Sequence, residues 1–197
     1  MSSPPQLPDA RPPVDPMAPP KFLSPMLKSV LLVCVVSALS WLVAALIAVP
    51  LSGAAWVQEL LHDNDLAWMS PSLQWLGAHA VGICVAMLLT CLVGVVACIG
   101  MLRREAWALW LFIVLLVVTA LSNFVASWVV DDGFSHLLDY LDSDAANTAM
   151  RELRPDVLLQ RIVFVGTALG TSLAFAILHG WLALRLLRAD VRAYFAR

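Results

Sequence analysis

The sequence predicts an all-α integral membrane protein, a four-transmembrane-helix bundle with short amphipathic helices in its outer loops. Three observations predict it. Hydrophobic residues make up 61% of the 197, charged residues only 13%, and mean hydropathy is +0.84, far from the soluble-domain norm. Leu76 to Val130 is two apolar runs parted only by Arg103, Arg104 and Glu105, and each run exceeds the ~20 residues that cross a bilayer as a helix. The basic residues are also unevenly spread. Nine of the 12 Lys and Arg fall on one predicted side, while Arg151, Arg154 and Arg161 fall on the other, with ten of the 14 acidic residues. Arg103 and Arg104 therefore mark a tight cytoplasmic turn, with both termini on that same side.

Residues 1 to 25 carry nine prolines among scattered charges and cannot bury apolar surface, so they read as a disordered, Pro-rich cytoplasmic tail. The tail is too long and too polar for a secretory signal. The transmembrane domain is 26–197, with spans at about 27–51, 73–102, 106–130 and 157–187. In the first span Ser37, Ala38, Ser40, Ala44 and Ala45 interrupt larger aliphatics, as suits close helix contact.

The first outer loop lacks Lys and Arg. Trp56, Leu60 and Leu61 fit one face of a short interfacial helix, with Trp68 as a further anchor. Ser70 and Pro71 read as N-cap and first residue of the second span. That span places Gly77, Cys84, Cys91 and Cys98 on one heptad-spaced stripe. Cysteines seven residues apart stand ~10 Å apart along a helix axis, beyond the ~7 Å limit for a disulfide. The stripe reads as a packing seam of compact apolar thiols.

The third span carries Trp107 and Trp110 at one end and Trp128 at the other, an aromatic belt at each interface. Its one amide, Asn123, is expected to hydrogen-bond to a neighbouring helix. Phe134, Leu137, Leu138 and Leu141 recur at helical spacing, predicting a separate short amphipathic helix in the second outer region. Arg154-Pro155-Asp156 reads as the start of the fourth span, with Pro155 at its first position. That span holds two small-residue ridges: Gly166, Gly170 and Ala174 on one face, Ala168, Ser172, Ala176 and Gly180 on another. Such ridges let helices approach closely, so this helix is expected to be contacted from two sides.

Chemistry is sparse. His79 and His179 invite a bis-histidine haem site, but they lie near opposite ends of helices that run the same way, so one haem cannot join them. His62, Asp63, Asp65, His136 and Asp139 are the candidate cation ligands, on oxygen and imidazole chemistry. Their spacing matches no defined site, so solvated loops are the preferred reading and no cofactor is expected. No P-loop, G-x-S-x-G, H-E-x-x-H or nucleic-acid pattern occurs. No charged pair sits mid-span, which counts against a proton-coupled transporter.

The turn Arg103-Arg104-Glu105-Ala106-Trp107-Ala108 and the ending His179-Gly180-Trp181 with Val191-Arg192-Ala193-x-Phe195 resemble uncharacterised small four-span inner-membrane proteins of Gram-negative bacteria. The resemblance covers the second half of the chain and implies topology and location, not catalytic residues. The expectation is a non-enzymatic multi-pass protein of the bacterial inner membrane, structural or accessory. It would associate with the lipid bilayer and with itself or another membrane protein, and with no nucleic acid. The alternatives are a small transporter or channel component, and a haem- or metal-binding membrane protein.

Overall fold

The computed structural model describes residues 22–54, 66, 68–144 and 146–195. Most of the Pro-rich tail lies outside them, as do Trp56, Leu60, Leu61, His62, Asp63 and Asp65. The described chain is helical, with no strand. In order, α1 is Leu23–Ser52, α2 Pro71–Ala78, α3 Ala80–Leu102, α4 Ala106–Asp142, α5 Thr148–Glu152, α6 Arg154–Leu186 and α7 Ala189–Phe195. Four of these, α1, α3, α4 and α6, are long and apolar enough to cross a membrane.

Helix boundaries follow local chemistry. The α1 helix starts inside the stretch assigned to the tail, because Pro25 falls in its first turn, where no backbone N–H is required. Ser70 caps α2, its hydroxyl accepting from the Leu73 N–H, and Pro71 takes the first position as expected. The second apolar run is not one straight helix. At His79 the backbone leaves helical geometry (φ −108°, ψ 16°), while the His79 N–H still reaches the Trp75 carbonyl and its own carbonyl accepts from Ile83. The helix is thus interrupted between Gly77, which is exposed, and the cysteines of α3, of which Cys84 and Cys98 are buried.

The turn after α3 closes as a Schellman motif: the Glu105 N–H donates to the Gly100 carbonyl and the Arg104 N–H to that of Met101. Arg104 is left-handed (φ 65°), where glycine is the usual choice. The guanidinium offers a reason for arginine there, since it lies over the Tyr194 ring at 4.6 Å and ties the turn to α7.

The α4 helix overturns one expectation. The amphipathic stretch at 134–141 is no separate element, because α4 runs unbroken for 37 residues, ~55 Å at 1.5 Å per residue. Nothing between Val130 and Asp142 breaks a helix except Gly133, and Gly133 is where Leu73 of α2 packs, 2.7 Å from where a Cβ would stand. The α6 helix also begins earlier than expected, with Arg154 first and Pro155 second.

Two antiparallel pairs result, α1 with α3 and α4 with α6, joined through the Arg103 turn between α3 and α4. At the Arg103 end all four long helices and α7 converge on one apolar cluster. Leu27, Met101, Leu186 and Val191 are its most enclosed large side chains. Farther along, the helices present Leu, Val, Ile and Phe outward, and only 6 to 22% of each helix's most apolar stretch is buried.

Candidate functional site

Between α1 and α3 the cysteine stripe faces α1. Cys84 and Cys98 are buried, and Cys91 is half-buried. The approach is close: a Cβ at Gly94 would stand 3.0 Å from the Cys34 sulfur. The thiol of Cys34 meets that of Cys98 across the interface. This neighbour of the stripe is invisible to spacing within one helix, because Cys34 is 64 residues away from Cys98. All four thiols are free.

Between α4 and α6 a small polar cluster occupies an otherwise apolar seam. The Ser127 and Ser172 hydroxyls share a hydrogen bond of 2.8 Å. Each also lies within donating distance of the Asn123 carbonyl, at 2.9 and 3.1 Å, so one hydroxyl donates to the other and that one donates to the carbonyl. Asn123 thus takes part through its backbone oxygen, and its side-chain amide makes no hydrogen bond to the described residues, contrary to expectation. Ser172 belongs to the Ala168–Gly180 ridge, which lies toward α4: Ser172 is buried, Ala168 and Ala176 half-buried, and Gly180 at the exposed edge. The other ridge faces away from the chain. Gly166, Gly170 and Ala174 are exposed, and no atom lies within 4 Å of a Cβ built at either glycine.

The two histidines do not converge. His79 sits at the α2–α3 kink, with Nδ1 2.9 Å from the Trp75 carbonyl and its ring stacked on Trp75 at 4.6 Å. His179 lies near the other end of α6, stacked on Phe175 at 5.8 Å, with a buried Nδ1 that has no hydrogen-bond partner among the described residues. It borders an apolar cavity of about 180 Å³ with Leu116, Phe124, Ala176 and Gly180. Of the cation candidates only His136 and Asp139 lie within the described residues, where no three His, Cys, Asp or Glu side chains come together as ligands.

Away from the Arg103 end the three arginines pair off with aspartates. Arg154 grips Asp142 through two hydrogen bonds, at 2.6 and 3.0 Å. Arg161 holds Asp131 at 2.7 Å, and Arg151 reaches Asp144 at 3.5 Å and the Ser143 carbonyl at 2.8 Å. The guanidinium of Arg154 holds the Asp142 carboxyl below the ordinary carboxylate range, and its own pKa rises in return. Asp132 accepts a short hydrogen bond from Ser72, which clasps α2 to α4. The hydroxyls of Ser72 and Ser70, and secondarily the charge on His136, hold its carboxyl below the usual range.

At the Arg103 end Arg188 meets Asp190 at 3.6 Å, and the other basic side chains have no ion pair among the described residues. Arg185 stacks on Phe22 at 4.1 Å and Trp181 at 5.1 Å. Arg103, Arg104, Arg192 and Lys28 have no carboxylate partner among the described residues. Compared with protein-family models, with curated proteins and with solved structures, the chain matches none of them.

Proposed function

We propose that this chain is an integral protein of a bacterial inner membrane, with four spans and both termini in the cytoplasm. Its role is non-enzymatic: a structural or accessory component that associates with itself or with another membrane protein. The observation that carries the membrane reading is the outward face of the four long helices, with at most 22% of each one's most apolar stretch buried. Apolar surface on that scale is stable against acyl chains and not against water.

The spread of basic residues supports the orientation. Nine of the 12 Lys and Arg, Arg103 and Arg104 among them, fall on the side assigned to the cytoplasm. Association is supported by the ridge of Gly166, Gly170 and Ala174, which faces outward with open space over its glycines. The polar clusters fit this role. Ser127 with Ser172 and Ser72 with Asp132 join helix to helix.

Reporter fusions at Asp63, Arg103, Asp139 and Arg197 are expected to read periplasm, cytoplasm, periplasm, cytoplasm. A periplasmic reading at Arg103 would overturn the orientation. Co-purification in mild detergent then asks for the partner. A chain that runs as a bare monomer, with nothing retained at any detergent strength, would remove the accessory role.

A further inference from the structure

We infer that the groove beside Arg103 binds a phospholipid whose headgroup carries both a phosphate and a primary ammonium, that is, phosphatidylethanolamine. The inference rests on the membrane reading above. A groove of about 270 Å³ lies on the outer side of the α3–α4 turn, walled by Val96, Ile99, Gly100 and Trp107, with Arg103 and Glu105 at its mouth. Its shape follows from packing. Gly100 has no side chain because α4 leaves no room: a Cβ there would stand 2.6 Å from the Ala108 Cβ and 3.1 Å from the Trp107 ring. The missing side chain lets Ala108 and the indole seat against α3, and the indole forms one wall of the groove.

The mouth decides the ligand. Arg103 and Glu105 are both exposed, and neither has an ion partner among the described residues, the other included. Glu105 precedes α4 without capping it through its side chain. One guanidinium and one carboxylate two residues apart thus stand open at the rim of an apolar slot. The Arg–Asp pairs at the other end of the helices are closed by contrast.

An arginine fork takes a phosphate through paired N–H donors. A carboxylate beside it repels a second anion and accepts N–H donors from an ammonium. Ethanolamine supplies both charges with N–H groups. Choline has no N–H to donate, and glycerol brings the phosphate with no cation for Glu105. The first carbons of an acyl chain would lie along Val96 and Ile99, with the Trp107 indole at headgroup depth.

The test uses the full-length chain extracted in mild detergent. It is offered equal amounts of phosphatidylethanolamine, phosphatidylglycerol and phosphatidylcholine with matched chains, and adducts are read by native mass spectrometry. Because both groups are exposed, the expected preference for phosphatidylethanolamine is modest, about threefold. Glu105→Gln should shift the preference toward phosphatidylglycerol, and Arg103→Gln should weaken all three lipids, since each carries the phosphate. Equal retention of the three lipids, or an unchanged ratio in Glu105→Gln, overturns the site. Displacement of the lipid by glycerophosphoethanolamine at equal concentration would mean that the mouth recognises a soluble zwitterion, and would overturn the lipid assignment. Extraction separates this from the underlying reading. A chain released by alkaline buffer alone is no membrane protein, whereas one that needs detergent yet shows a flat lipid profile defeats only the groove.

Discussion

At the Arg103 end the helices are tied by an apolar knot, with Leu27 of α1, Met101 of α3, Phe112 of α4, Leu186 of α6 and Val191 of α7 all buried together. At the opposite end α4 is tied by charged and polar pairs, through Arg154–Asp142 and Arg161–Asp131 to α6 and through Ser72–Asp132 to α2. The difference is in what covers each end, a buried cluster under α7 at one and partly exposed ion pairs at the other. In the proposed orientation the knot lies at a water boundary, where α7 covers the helix ends and apolar burial is rewarded. Within lipid no such reward exists, and helices hold by close contact and by polar groups such as Ser127 with Ser172. The ion pairs are about a third to a half exposed and fix register more than they add stability.

The comparison predicts a ranking. Leu186→Ala should cost most, about 2–4 kcal/mol, because its side chain is fully enclosed where three helices meet α7. Denaturation in detergent measures it, and a loss no larger than that of an ion-pair variant would break the contrast between the ends.

Next comes Arg161→Gln, expected to cost about 0.2–1 kcal/mol, as exposed pairs do. Acid sharpens this end. Asp142 is held below its ordinary pKa of about 4, so its contribution is complete above that value and is lost as pH falls through the lower folded one. Wild-type melting should drop on acidification more than that of Asp142→Asn, and equal drops would remove the pair from the account.

The smallest effect on folding is expected from Gly170→Leu. Open space surrounds the site, so melting of the monomer should not change, while any self-association through this ridge should be lost on cross-linking. Lowered melting with association intact would mean that the ridge packs within one chain.

Hydropathy and charge made the four long helices, the Arg103 turn and the Ser70–Pro71 start legible, since each is written in residue types over a short window. Continuity was not legible. Residues 131–142 are polar enough to read as a loop, yet they hold few helix breakers, and contacts 60 and 30 residues away in sequence, Ser72 with Asp132 and Arg161 with Asp131, keep them helical. The kink at His79 has no proline to announce it. Small-residue spacing marked two faces of α6 without distinguishing the one α4 covers, because Gly, Ala and Ser permit close approach without requiring it. The groove at Arg103 was equally hidden: Arg103 and Glu105 were read as a turn, and only the packing of Trp107 over Gly100 gives that turn a cavity.

The unbroken run of α4 also governs which lengths the chain can tolerate. Asp131 and Asp142 stand 11 residues apart on one rod and meet Arg161 and Arg154 on another. One residue inserted between them would turn everything beyond it by ~100° and advance it ~1.5 Å, so both pairs could not survive together. A stretch with the composition of a loop therefore carries the indel intolerance of a gear tooth. Sister sequences should change length after Asp142, around Ser143, and not within the 11 residues before it.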